Sequence, residues 1–487
     1  MIRPGKRRNE RLGMTLRGSL TVFLSLVLLF ITGLFFTMSE AVRITCVQKH
    51  SLRAAAQAAD SFGADYCRPL YEWYGILAVD GGYTQEELRL SETERRFREI
   101  LEENLSPEGE HFFRAYAGEV SVLRYQTLPA DQSAGLFSEA LDQSRYAAVV
   151  SAAEKISKEA EQVAQDSRQD LKTLEEKEAS SVTDEEAADA DGLVDPTDTV
   201  EAMKKQGLLS LVLPSQTEIS EKRLEEGLAG QQRVECRTEQ TSSYGGADAS
   251  EQALFPVYVS QAFQSFVTDR GHPGLAYEKE YLLCGCSSDR ENLEGCVRRL
   301  LALREVENFA SICASSRRRS EAKGIALAVA GVSLNPVILP MVQAAVMASW
   351  AYLESVLDVR LLLSGGKVAL IKTDSQWTSS LSNPGDLVRP EAKAKECENG
   401  LDYDAFLLTF LLISGRQQCA DRALDVMERA VRTQEHYENF SVSTAICRLS
   451  FSASAETVPL FLSFVPFLPE ESGQVFSFSC EKEFSYY

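Results

Sequence analysis

Hydrophobic and polar positions along the chain fall into three regimes. Residues 19–39, SLTVFLSLVLLFITGLFFTMS, are apolar on every helical face and carry no charge over 21 positions. About 20 helical residues cross a hydrocarbon core of about 30 Å. In lipid a lone segment satisfies its backbone only as a helix, so the pattern predicts a membrane-spanning helix over 19–39. A cleaved signal peptide would show an apolar core of about 7 to 15 residues and a small-residue cleavage site; Thr37-Met38-Ser39-Glu40-Ala41 is a poor version of one. Residues 40–66 are Ala-rich and free of Pro, which extends the helix to about residue 65, with Pro69 closing it.

A helical period runs through most of the chain between 85 and 433. Residues 85–105 read as a charged surface helix, and Val149, Ala153, Ile156, Ala160 and Val163 form a narrow apolar stripe. Residues 329–353 are uncharged but interrupted by Pro336 and Pro340, which favours a buried core helix over a second span. After 440 the period changes. FSVSTAICRLSFS (440–452) and VFSFSCEKEFSYY (475–487) read as strands that pair antiparallel. The predicted class is α+β: a transmembrane helix continuing into a long extracytoplasmic helix, a helical domain, and C-terminal antiparallel strands.

Charge adds orientation and boundaries. Arg3, Lys6, Arg7, Arg8, Arg11 and Arg17 precede the apolar stretch, opposed only by Glu10. By the positive-inside rule the N-terminus is cytoplasmic and residues 44 onward are extracytoplasmic, in a single-pass cell-membrane protein. The net charge is −21, although residues 1–43 carry +5. So acidic a remainder argues against nucleic acid as a partner. Residues 175–201, with eleven acids and one Lys, read as a solvated linker. The expected segments are a basic leader (1–18), the span (19–39), a mainly helical region (40–174), the acidic linker (175–201), a small insertion with a soft linker (202–252), a helical core (253–433) and the strands (434–487).

The chemistry-bearing residues form no recognisable motif. The four histidines, His50, His111, His272 and His436, make neither HExxH nor a ligand pair. No phosphate-binding loop, dinucleotide fingerprint or nucleophile elbow is present, and no cofactor is expected. Among eleven cysteines, Cys284, Cys286, Cys296 and Cys313 lack zinc-knuckle spacing, so no metal is expected. His272, before Pro273-Gly274, reads as a turn residue. Glu278 and Glu280 would share a face on a strand. The densest polar set in apolar surroundings is Glu354, Asp358 and Arg360, followed by Lys367 and Lys372. Its ordinary reading is a structural ion-pair cluster at a helix end; a ligand site is the alternative.

Several stretches carry a resemblance: GSLTVFLSLVLLF (18–30), SEAVR (39–43), YLLCGCSSDRENL (281–293), RLLALREVENF (299–309), WAYLESVLDVRLLLSGGKVALIKTDSQW (350–377) and GLDYDAFLLTFLLI (400–413). On these the chain resembles the DUF5702 domain family of Clostridia-type bacterial membrane proteins, themselves similar to TadE- and TadG-like components of tight-adherence pilus machinery. The resemblance implies a membrane-anchored, non-enzymatic, pilin-like structural or assembly component of a surface pilus or secretion apparatus. Its implied partners are other membrane-anchored proteins, besides the bilayer through residues 19–39. Arg17-Gly18 before Ser19 resembles a prepilin peptidase junction, although Phe23 stands where a prepilin usually has Glu. A tethered ligand-binding or hydrolytic domain is the competing class.

Overall fold

The computed structural model describes residues 12–105, 114–144, 194–214, 216–224, 228, 244, 246, 249–330, 338–382, 384–389, 391–462 and 475–486. The stripe at 149–163 and the acidic residues 175–193 lie outside these, as do the side chains of Gly18 and Ser19. In chain order the elements are α1 (Leu12–Ala64), α2 (Arg68–Tyr74), β1 (Val79–Asp80), α3 (Leu90–Leu105), β2 (Tyr116–Thr127) and α4 (Ala130–Ser144, left-handed at Asp131, Gln132 and Ser133). There follow α5 (Thr197–Lys204), α6 (Leu208–Val212), α7 (Ala249–Ala262), α8 (Glu278–Cys284), α9 (Asp289–Ala314), α10 (Ser316–Ala330) and α11 (Ile338–Leu363). The last are α12 (Tyr403–Ile413), α13 (Arg416–Val431), β3 (Ala445–Thr457) and β4 (Phe476–Ser485). The class is α+β.

The chain folds as two compact units. The first comprises residues 1–66, 88–126 and 446–486, and the second 67–87 and 127–445, with residue 487.

In the first unit α1 is one unbroken helix. Its stretch from Leu20 onward is long and apolar enough to cross a membrane, and Leu20, Phe23, Leu26, Phe30 and Phe35 are all more than half exposed. Ser25, Thr32 and Thr37 spend their hydroxyls on carbonyls one turn back, at Val22, Leu28 and Leu34. That leaves the helix surface uniformly apolar.

Past Glu40 the same helix becomes a core element. Val47, Ala54, Ala55, Ala58 and Phe62 are buried where α1 packs on α3 and β4. The alanines let a second layer of this chain approach closely. Gly63 goes further: a Cβ there would come within 2.1 Å of the edge of the Phe484 ring. Helix α3 is amphipathic, burying Thr93, Phe97, Ile100, Leu101 and Leu105 at helical spacing. Phe97 packs against Phe451, the ring planes tilted by 46° with centroids 3.7 Å apart.

Strand β3 is central, paired on one side with β2 and antiparallel with β4, from Arg448 opposite Ser485 to Thr457 opposite Phe476. Strand β2 falls in a region expected to be mainly helical. Its residues YAGEVSVLRYQT mix aromatic and β-branched types suited to a pleated surface, and β3 supplies the ladder that a short segment cannot supply alone.

The second unit is helical around α9 and α11, with α10 against α11. Ile312, Ala322, Ile325, Val346, Met347, Trp350 and Trp377 form one apolar cluster. Pro340 sits in the first turn of α11, where a missing N–H costs no helical bond. From Trp350 to Leu363 every residue of that helix is buried; of the uncharged stretch 329–353 expected to be a buried core helix, Val346, Met347 and residues 350–353 are buried, whereas Val329, Ile338 and Met341 are exposed. Helices α5 and α6 pack on α11 through Val200, Met203, Leu209 and Leu211, so the expected linker ends in ordered helix and the expected insertion begins as part of the core.

Candidate functional site

The second unit buries two polar networks. The first is built on α9 and α11. Glu354 and Asp358, one turn apart on α11, are wholly buried and both reach the ammonium of Lys372, which is 2.5 Å from Asp358 Oδ1. Arg304 on α9 donates from Nε and Nη2 to Asp358 Oδ2, at 3.0 and 2.8 Å. Its Nη1 donates to Glu307 Oε2 (2.5 Å) and to the Leu370 carbonyl (3.1 Å). Asn308 Nδ2 also donates to Asp358 Oδ2, at 2.9 Å. The second oxygen of Glu354 accepts the Ser379 backbone N–H at 2.7 Å. Three carboxylates thus face two cations. Burial pushes the Glu307 carboxyl up to about 7, against the pull of Arg304.

Arg360 does not belong to this cluster. Two residues beyond Asp358, it projects from another helix face. Its Nη1 donates to the carbonyls of Leu387 (2.8 Å), Arg389 (2.7 Å) and Ala392 (3.2 Å), and its Nε to Leu211 (3.0 Å). It fastens a loop and α6 to α11. Glu354 and Asp358 are brought together as the sequence suggests, but their cations are Lys372 and Arg304.

The second network surrounds α8, all but the last residue of which is buried. Glu278 accepts the Tyr74 hydroxyl (2.8 Å) and the Gln264 N–H (2.9 Å), and lies 2.9 Å from His272 Nδ1. Glu280 accepts the Phe266 N–H and the Tyr403 hydroxyl, both at 2.9 Å. Lys279 pairs with Asp404 at 2.9 Å. Glu278 and Glu280 are on a helix, not a strand, and point apart; both are covered because the helix is enclosed on all sides. His272 lies in the loop before α8, as expected of a turn residue, yet its ring is part of this network. Burial pushes Glu280 up to about 7, although Phe266 and Tyr403 donate to it. Its Oε2 is buried without a hydrogen-bond partner.

Two carboxyl groups held near 7 have a measurable consequence. Their ordinary value is 4.5, so between pH 4.5 and 7 the folded chain holds protons that the unfolded chain releases. The stabilisation is complete below 4.5 and is lost as pH rises through 7. Glu280→Gln with Glu307→Gln is expected to flatten the fall in thermal midpoint between pH 5 and 7.5 relative to wild type. Parallel profiles for the two proteins would contradict the assignment.

A sequence signal for Arg304 existed. Leu293, Cys296, Val297, Leu300, Leu301, Arg304, Glu307, Asn308, Ser311 and Ile312 recur at three- and four-residue steps, and all are buried. Charged residues at core-phase positions mark a buried network.

An open groove of about 320 Å³ is lined by Lys204, Leu208, Leu211, Arg298, Glu305 and Tyr352, among others. Among the described residues no cluster of three or more His, Cys, Asp or Glu is placed to hold a metal.

A family model described as a family of unknown function, DUF5702, matches residues 184–457. No curated protein and no solved structure matches the chain.

Proposed function

The chain belongs to the DUF5702 family, and we propose that it is a membrane-anchored, non-enzymatic structural or assembly component of a bacterial surface pilus or secretion apparatus. The observation that carries this reading is the continuity of α1. One helix is apolar on its whole surface from Leu20 to Met38 and, without a break, becomes a buried part of a folded unit. A flexible tether would suffice to keep an enzyme near a membrane. A helix fused into the fold transmits position and orientation, as assembly requires. The apolar half then meets lipid and other anchors, with Ser25, Thr32 and Gly33 as small positions where another helix can come close.

The alanine-rich half is committed to the chain's own fold, so the interface lies in the lipid half. A photoreactive residue at Phe23 or Phe30 in native membranes is expected to capture other membrane-anchored proteins. Capture of lipid alone, together with selective binding of a small molecule in the Lys204–Tyr352 groove, would overturn the proposal in favour of a tethered binding domain.

A further inference from the structure

Two cysteines assigned no role above, Cys284 and Cys296, face each other as thiols across α8 and α9. Cys284 Sγ, at the C-terminal end of α8, is 3.6 Å from Cys296 Sγ in the early turns of α9. The contact is built into the local fold. Gly295 precedes Cys296, and a Cβ on it would come within 2.7 Å of the Cys284 sulfur, so glycine is what gives that sulfur its seat. Gly285 caps α8 with φ +71°, the left-handed region, which turns the chain away immediately after Cys284.

The surroundings are electropositive. Arg422 Nη1 donates to the carbonyls of Leu282 (2.7 Å) and Leu283 (3.0 Å), and Arg299 Nη1 to Leu283 (3.2 Å). Both guanidinium groups are thereby held at the end of α8 beside Cys284. The two thiols differ in access: Cys284 is partly exposed, whereas Cys296 is completely buried. A partly exposed thiol backed by a buried one is the arrangement of an attacking and a resolving cysteine. Cys419 is less suited, since it is buried with its sulfur near the Leu282 carbonyl, 3.8 Å away.

We propose that Cys284 and Cys296 form a redox-closable dithiol that locks α8 to α9 as a disulfide by exchange with a small or protein disulfide. The Cys284 thiolate attacks one sulfur of the incoming disulfide, forming a mixed disulfide and expelling the other sulfur as a thiolate. Cys296 loses its proton and attacks the Cys284 sulfur. The Cys284–Cys296 bond forms, the mixed disulfide breaks, and the second leaving thiolate takes up a proton. Two protein thiols are oxidised and one external disulfide is reduced to two thiols. Closure requires the sulfurs to approach from 3.6 Å to about 2.05 Å. Cys296 lowers the Cys284 thiol to about 7 by its hydrogen bond, burial opposes this, and Arg299 and Arg422 reinforce it, so near neutral pH a large share is thiolate. The bond would tie the helix carrying Glu278, Lys279 and Glu280 to the helix carrying Arg304, fixing the frames of both buried networks.

The test treats the full-length protein, in detergent, with oxidised glutathione at pH 8. Remaining thiols are then blocked with N-ethylmaleimide and the peptides mapped by mass spectrometry. A Cys284–Cys296 linked peptide is expected as the dominant product, together with a rise of about 5 °C in thermal midpoint on oxidation. In Cys296→Ser, a glutathione adduct is expected to persist at Cys284. Because a variant can fail to fold, the alkylation rate of Cys284 in wild type is measured against pH, and its midpoint is expected near 7. A stable glutathione adduct at Cys284 in wild type, pairing of Cys284 with Cys286 or Cys419, or an alkylation midpoint near 9 would each overturn the proposal.

Discussion

Arg304→Met is expected to destabilise the second unit by about 3 to 5 kcal/mol, the cost of removing one partner from a buried ion pair. The guanidinium has no exposure and makes four hydrogen bonds to three acceptors: Asp358 Oδ2 through two of its nitrogens, Glu307, and the Leu370 carbonyl, with Asn308 sharing Asp358. Without it, three buried carboxyl groups face Lys372 alone. Arg304→Lys keeps the charge but cannot grip Asp358 with two nitrogens while reaching Glu307, so it is expected to recover only part of the loss. Denaturant titration of the full chain in detergent measures both. A loss below about 1 kcal/mol for Arg304→Met would mean that the network contributes little beyond packing.

The second large effect is expected at the end of the apolar segment in the first unit. Glu40 and Arg43, the charged residues of SEAVR, are both buried, with Arg43 Nη2 2.5 Å from Glu40 Oε1. Arg43 also donates to the Thr457 hydroxyl (3.3 Å) and the Val458 carbonyl (2.7 Å). Glu40 Oε2 accepts the backbone N–H groups of Leu460 (3.0 Å) and Phe461 (2.6 Å). The pair clamps α1 to the chain leaving β3. Burial works against the Glu40 charge, but Arg43 and the two amides outweigh it and hold the carboxyl below its ordinary value. Arg43→Met strands a buried carboxylate and is expected to cost about 3 kcal/mol or more. Hydrogen exchange at Leu460 and Phe461 should accelerate. Unaltered protection of those two amides would rule out the clamp.

Glu40 and Arg43 also illustrate what a linear reading misses. Along the sequence they nearly cancel as flanking charges. Their burial depends on β3 arriving from more than four hundred residues away. The same holds for Lys372, which was visible as a basic residue after α11 but not as the cation serving Glu354 and Asp358. Arg360 is their neighbour in sequence, yet helical rotation sends it to the carbonyls of Leu387, Val388, Arg389 and Ala392.

The sequence by itself determined the features set by local composition: the apolar helix, its continuation through the Ala-rich stretch, and the antiparallel strands at the C-terminus. Each follows from periodicity, propensity or a proline, which act over a few residues. Only the tertiary structure decided that the C-terminal strands join the N-terminal helix and β2 in one unit, that the alanine face is filled from within, and which cation meets which carboxylate. Those outcomes depend on pairings distant in sequence, and a buried charge acquires its meaning only from the groups that enclose it.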